Sequence, residues 1–359
     1  MELWLEEIKI KNFRNYDGVE VVFEKGINYL FGSNGVGKTN LIEAIYYIGN
    51  LGSFRTNDDR NLIKDSKGGF NVSAVVNGVS YDLKITRDKK ILNVDGIAYP
   101  RYRDYIGKVN VIEFCPEQVY LLKDFPKDRR RFMDKEISKI DNQYLNDMLV
   151  YNKLLKQRNE LLKSDDIYSE QLLNVIDDKI SELQVSIINK RISFLQDIEK
   201  IINEFDVSLS KMYKLQIKYE CTFKSINKES IIESYYNSFS KDKEKMSTNL
   251  GVHKDDFKVY INENDASNFG SQGEQRFIVL LMKLALLKLV KNKIGKFPIM
   301  VLDDVFSELD VNRKREIYRI LKEFEQVFIT GCDIKDIEGV TNCVSYEIKE
   351  NQIKRIEEE

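Results

Sequence analysis

The segment Gly32-Ser33-Asn34-Gly35-Val36-Gly37-Lys38-Thr39 fits the pattern G-x-x-x-x-G-K-[ST], a loop built to hold phosphate. Its glycines let backbone N–H groups curl around a β-phosphate, and the helix that follows points its positive end at the same anion. Lys38 is placed to reach the β- and γ-phosphates, and Thr39 to offer its hydroxyl to Mg²⁺. Far downstream, Asp303-Asp304 closes the apolar segment Pro298–Leu302. The first carboxylate suits Mg²⁺ held through water, and the second suits orienting or deprotonating an attacking water. An acid pair after a strand also serves as a cap or a loop. The phosphate loop upstream favours the catalytic reading, with Lys38, Asp303 and Asp304 as its working residues.

A third element lies between these two. Ser271-Gln272-Gly273-Glu274-Gln275 stands at the head of a long apolar-periodic stretch. A serine hydroxyl and a glycine amide at a helix start form another anion-binding surface. The same letters also read as an ordinary capping box. What gives them weight is their place on the helix before the acidic strand. Two nucleotide half-sites therefore lie at opposite ends of the chain, and their separation points to a dimer as the working unit.

These residues need rigid elements to hold them. Ile27–Phe31 is a short apolar strand leading into the glycine loop, and Leu41, Ile42, Ala44, Ile45 and Ile48 form a helical stripe after it. Val72–Val76 and Tyr81–Thr86 flank Asn77-Gly78, a hairpin signal. From about 117 to 245 the pattern changes. Met133, Ile137, Ile140, Tyr144, Met148, Tyr151, Leu155 and Leu162 recur at helical spacing, as do Leu173 through Phe205. Two helices of roughly 35–40 residues, about 50–60 Å each, are predicted as an antiparallel hairpin. It reads equally as an arm or as a packed subdomain with no function of its own. Ile299–Leu302 and Val327–Thr330 then read as buried parallel strands. The expected fold is α/β: a head of 1–116 and 246–359, mixed β plus a parallel sheet with helices, interrupted by a helical arm at 117–245.

Composition narrows the function classes. The chain has 359 residues, a formal net charge of −2 and one histidine, His253. It lacks the overall basicity of a nucleic-acid coat, so DNA contact must come from local patches. A single histidine leaves little for a catalytic triad or a multi-His metal site. The four cysteines form no C-x-x-C pair, which fits a reducing cytoplasm. No run of about 18 apolar residues marks a membrane span.

The order of phosphate loop, Ser271–Gln275 and acidic pair resembles the ATP-binding-cassette ATPases. In that class the signature serine and glycine complete the site of another subunit across a head-to-tail dimer. Asp304 stands where the class has glutamate, one methylene longer, which implies slow hydrolysis. Ser307-Glu308-Leu309-Asp310 resembles the loop that crosses the dimer seam, and Thr330 stands near the place of a switch histidine. Within that class the chain is similar to the RecF family. The likeness runs through Ile10–Tyr16, Gly32–Asn40, Ser53-Phe54-Arg55-Thr56, Pro126–Asp134, Gly251–Phe257 and Leu302–Asp310. Pro116-Glu117-Gln118 departs from the family's P-E-D, leaving the role of Gln118 open. The resemblance implies an ATP-binding set of Gly32–Thr39 with Asn40 and Arg14. It also implies Mg²⁺, an ATP-dependent homodimer, DNA bound at single-strand/duplex gaps without sequence preference, and help to RecA loading with RecO and RecR.

Secondary expectations follow. Arg55, Lys127, Arg129, Arg130 and Arg131 are candidate DNA contacts, with Arg101, Arg103 and Lys108 beside them. Arginines at a helix start oppose its dipole and hint at an external anion, though such runs are usually solvated. His253 is read as a structural hydrogen-bonding group. The alternatives are another SMC-like clamp, a cassette-type subunit not acting on gapped DNA, and a P-loop kinase.

Overall fold

The computed structural model describes residues 3–115, 118, 120–123, 125–164, 169–205, 214–269, 271–306, 311–337 and 343–356. The chain starts with β1 (Leu5–Phe13), β2 (Tyr16–Val22) and β3 (Gly26–Phe31), then α1 (Lys38–Asn50). Next come β4 (Gly69–Val76), β5 (Val79–Thr86), β6 (Lys90–Val94), β7 (Ile97–Ala98) and β8 (Val111–Phe114). Helices α2 (Pro126–Ile140), α3 (Asn142–Lys163) and α4 (Ser169–Glu204) precede β9 (Leu215–Glu220) and α5 (Lys228–Glu244). The remainder is β10 (Asp256–Ile261), β11 (Asn264–Asp265), α6 (Gln272–Ile294), β12 (Ile299–Leu302), α7 (Val311–Leu321), β13 (Gln326–Gly331), β14 (Cys343–Lys349) and β15 (Gln352–Ile356).

Among the described residues the chain forms two compact units, one from Met1–Gln118 and Gln272–Glu359, the other from Val119–Phe205 and Met212–Ser271. The return to the head therefore falls at 272, not at the expected 246. The reason is strand pairing: β10 lies antiparallel to β9, with Phe257 opposite Tyr219. The helical periodicity of the middle region had hidden β9, so its partner had no visible tie to that region.

The first unit carries two six-stranded sheets, ordered β2-β1-β4-β5-β6-β7 and β15-β14-β3-β13-β12-β8. The first is antiparallel, and β4 alternates half-buried and buried positions along its length. Asn77 and Gly78 both take positive φ, 51° and 72°, which makes the tight hairpin turn their sequence signals. The second sheet is parallel from β14 to β8, with β15 added antiparallel at its edge. Its central strands β12 and β13 are buried throughout, matching their unbroken apolar runs. Helix α1 packs in the core between the sheets, where Tyr47 and Phe13 meet the ring of Phe70 edge-on. Gln326 ties the sheets together: its amide accepts from Leu5 N at 2.7 Å and donates to Leu5 O at 2.9 Å.

In the second unit the expected first long helix is two helices. Asp141 interrupts them with extended backbone, and its carboxylate caps α3 by accepting from Tyr144 N at 2.9 Å. An acid that can bond the amide three residues on competes with continued helix. Helix α4 runs unbroken for 36 residues, about 54 Å, and pairs with α3. Two fully buried arginines hold this unit. Arg158 bonds Asp177 at 2.6 Å, Asp242 at 2.7 Å and Thr248 at 2.9 Å. Arg191 bonds Tyr144 Oη at 2.9 Å, Asp134 at 2.7 Å and Val252 O at 2.7 Å. Each buried charge meets acceptors, as burial demands.

Candidate nucleotide site

The glycine loop hangs between β3 and α1, and β3 is flanked by β13 and β14. Two glycines are there for close approach. A Cβ on Gly32 would stand 2.3 Å from Ile348 O, and one on Gly37 would stand 2.7 Å from Asn15 Nδ2. Gly37 also has φ 109°, a backbone that side chains rarely adopt. The Tyr16 hydroxyl donates to Gly37 O at 3.0 Å, fixing the loop where it turns into the helix. Lys38 Nζ donates to the carbonyls of Gly32 at 2.7 Å and Ser33 at 2.9 Å. Its ammonium is thus folded back over the loop that it would share with a phosphate.

A chain of four polar groups crosses the sheet ends. Thr39 Oγ1 donates to Asp303 Oδ1 at 3.1 Å, and Thr330 Oγ1 donates to the same oxygen at 2.7 Å. Asp304 N then donates to Thr330 Oγ1 at 2.9 Å. Parallel pairing sets this up, because β12 and β13 run side by side with Leu302 opposite Ile329. Asp304 adopts φ 48°, a left-handed conformation that aspartate tolerates better than most residues. The resulting turn leaves its side chain exposed at the cavity.

That cavity has a volume of about 430 Å³. Asn34, Gly35, Gly37, Lys38, Thr39 and Asn40 line it with the acidic pair, Thr330 and Cys332, together with Arg55. Arg55, a candidate DNA contact, is exposed, and its Nη1 donates to Asn40 Oδ1 at 3.0 Å beside the phosphate loop. Arg14, expected on the nucleotide, does not line the cavity. Its guanidinium grips Glu43 through two bonds, 2.9 and 2.8 Å, and reaches Asn61 O at 3.1 Å. Glu43 is fully buried on α1 and also accepts from Ser53, with Arg55 Nη1 3.7 Å away. The sequence reading passed over Glu43. Its signal was an acid inside the apolar stripe of α1, which must find a cation.

Asn15 was also passed over. It lies beside the loop, donates to Val36 O at 3.4 Å and accepts from Asn40 Nδ2 at 2.7 Å. Cys332 donates to Asn34 Oδ1 at 3.2 Å on the cavity wall.

Ser271, Gln272 and Gly273 are exposed at the start of α6, while Gln275 is buried. None of Ser271–Gln275 lines the cavity of its own chain. Ser307, Glu308 and Asp310 lie outside the described residues. Gln118 is buried and donates to Glu113 Oε1 at 2.9 Å; Lys283 of α6 lies 3.6 Å from the same carboxylate.

The basic run of α2 separates by burial. Arg129 is buried, and its two bonds to Asp256, 2.7 and 2.6 Å, make it an internal strut, not an external contact. Arg130 donates to Asp255 O at 2.8 Å. Lys127 and Arg131 are exposed, as are Arg101, Arg103 and Lys108. Arg129 and Arg130 meet protein acceptors, so neither needs an external anion to offset the dipole. His253 is structural: Nδ1 pairs with Tyr151 Oη at 2.6 Å and Nε2 with Thr248 O at 3.1 Å. Burial lowers its pKa to about 4.

Comparison with known proteins places the chain in a family. A family model described as "RecF/RecN/SMC N terminal domain" matches residues 4–97. The chain is 35% identical to the DNA replication and repair protein RecF of Streptococcus gordonii, over 98% of this chain and 100% of that one. It is equally 35% identical to the protein of that name from Clostridium perfringens, over 93% and 94%. A solved structure of the recombination mediator protein RecF–ATP of the RecFOR pathway superposes with TM-score 0.89 at 31% identity, covering 99% of this chain and 98% of that one. The Smc head domain of Pyrococcus furiosus, 13% identical with TM-score 0.56, shares the fold. By near-full-length identity and by the sheet that carries its phosphate loop, the chain belongs to the RecF family of DNA replication and repair proteins.

Proposed function

We propose that this chain binds ATP with Mg²⁺, hydrolyses it slowly, and uses ATP to close a homodimer on double-stranded DNA at single-strand gaps. In the cytoplasm it would assist RecA loading together with RecO and RecR. The observation that carries the ATPase reading is the chain of Thr39, Asp303, Thr330 and Asp304 at one cavity. RecF structures named as complexes with ATP and ATPrS support the ligand.

The residues fit Mg²⁺. The Thr39 hydroxyl and the Asp303 carboxylate are hard oxygen donors converging within 3.1 Å. Thr39 and Asp303 would hold the ion, which would supply positive charge against the phosphates. Lys38 leaves the carbonyls of Gly32 and Ser33 for the γ-phosphate, while Arg55 supplies a second cation at the cavity wall. Asp304 orients the attacking water. Its short side chain and dependence on the Thr330 bond favour slow turnover, so ATP serves to hold the dimer closed. The exposed Ser271–Gly273 segment, outside its own cavity, suits completion of the partner's site.

Lys38→Arg should keep part of ATP binding and lose hydrolysis; normal turnover would remove the phosphate-loop assignment. Ser271→Arg should bind nucleotide as a monomer but fail to dimerise, as followed by light scattering. Binding to gapped, single-stranded and blunt duplex DNA, with and without ATP, tests the substrate. Equal affinity for all three would favour a clamp that does not act on gaps. Phosphate released without an added acceptor would exclude a kinase.

A further inference from the structure

Arg129 and Arg130 are committed to Asp256 and Asp255, which leaves room for basic groups outside the candidates named so far. The outer face of the antiparallel sheet offers a place. Lys11 of β1 stands opposite Asn71 of β4, and Asn71 stands opposite Lys84 of β5. The three side chains share one face, because cross-strand partners point the same way. At about 4.8 Å per strand the two lysine roots are roughly 10 Å apart. They border an open cavity of about 540 Å³, lined also by Asn12, Gly68, Gly69 and Thr86.

Both lysines are exposed, and neither forms an ion pair among the described residues. Their neighbours differ. Lys9 meets Glu7 at 2.9 Å and Glu20 at 3.1 Å, Lys64 meets Asp17 at 2.6 Å, and Lys90 meets Asp59 at 2.7 Å. The one carboxylate lining the cavity, Asp82, accepts from Ser73 Oγ at 2.7 Å and Asn71 Nδ2 at 3.1 Å. Asp82 thereby fixes Asn71 between the lysines instead of neutralising them. Gly68 borders open space, since a Cβ there would meet nothing within 4 Å.

We infer that the Lys11–Asn71–Lys84 row is a contact surface for the phosphodiester backbone of nucleic acid. Duplex DNA carries a phosphate per about 3.4 Å of axis on each strand, so a patch roughly 10 Å wide spans about three phosphates of one strand. Two ammonium groups on flexible stems can each take one, without reading sequence. The row begins four residues before Asn15, the residue that holds the phosphate loop, so a backbone seated here lies on the strand that leads to the ATP site.

The inference rests on the DNA-binding reading above, and the experiment separates the two. Equilibrium binding of the full chain to a gapped duplex is measured across salt concentrations, for wild type, Lys11→Gln/Lys84→Gln and Lys9→Gln. The double variant should lose about tenfold in affinity at moderate salt, and its log–log salt slope should flatten by about two. Lys9→Gln should match wild type, and all three should bind ATP alike, which verifies folding. An unchanged affinity and slope in the double variant, or an equal loss in Lys9→Gln, overturns the site. Failure of wild type itself to bind DNA overturns the reading beneath it.

Discussion

Asn351 and Asn15 hold each other through paired amides: Asn15 Nδ2 donates to Asn351 Oδ1 at 2.5 Å, and Asn351 Nδ2 donates to Asn15 O at 3.1 Å. Asn351 sits in the turn between β14 and β15 with φ 64°. The turn of the C-terminal hairpin is thereby bonded to the residue that braces the phosphate loop at Val36 and Asn40.

Asn351→Gly keeps the positive φ and deletes only the side-chain bonds. ATP should then bind about fivefold more weakly, the equivalent of about 1 kcal/mol for the lost bonding. The maximal turnover should change less than the KM. Steady-state ATPase titrations check this, with thermal melting as a control for folding.

Thr330→Val removes both the donor to Asp303 and the acceptor for Asp304 N. Turnover should fall at least about tenfold, while ATP affinity stays within about threefold, because the phosphate loop is untouched. Thr330→Ser should restore most of the rate. Equal losses in Val and Ser variants would mean that packing, not the hydroxyl, matters.

Arg129→Ala should act through folding. It strands Asp256, whose side chain is only 11% exposed, and a broken buried pair costs about 3 kcal/mol or more. Urea unfolding should show that loss. Arg131→Ala, at an exposed position, should leave stability within about 0.5 kcal/mol.

His253 makes stability depend on pH. Its folded pKa is lowered by burial from 6.5 to about 4. Between those values the unfolded chain binds a proton that the folded chain excludes. Stability therefore rises with pH across this window, and up to about 3 kcal/mol is lost as pH falls from 6.5 through 4. His253→Gln should flatten the difference between urea midpoints measured at pH 7.5 and pH 5.

The sequence made the nucleotide chemistry legible because backbone geometry demands it. Only glycine fits at Gly32 and Gly37, and only a buried parallel strand reads Ile299–Leu302 before the acid pair. The arginines were illegible for the opposite reason. A guanidinium reaches several ångströms from its Cα, so sequence position does not say which acceptor it finds. Arg14 turned to Glu43, Arg55 to Asn40 and Arg129 to Asp256. The domain return at 272 was hidden because β9 is a short strand amid long helical repeats and its partner β10 lies 36 residues later. The Asp141 break needed the cap to be weighed against an otherwise continuous apolar stripe.

The sheet order has a consequence for how the protein is made. Strand β3, which carries the phosphate loop, has β13 and β14 as its only sheet neighbours. Both are synthesised some 300 residues later. At roughly 5–20 residues per second the loop waits about 15–60 s without the strands that support it. The nucleotide pocket is thus completed only after β13 and β14 have left the ribosome, long after its glycine loop has been made.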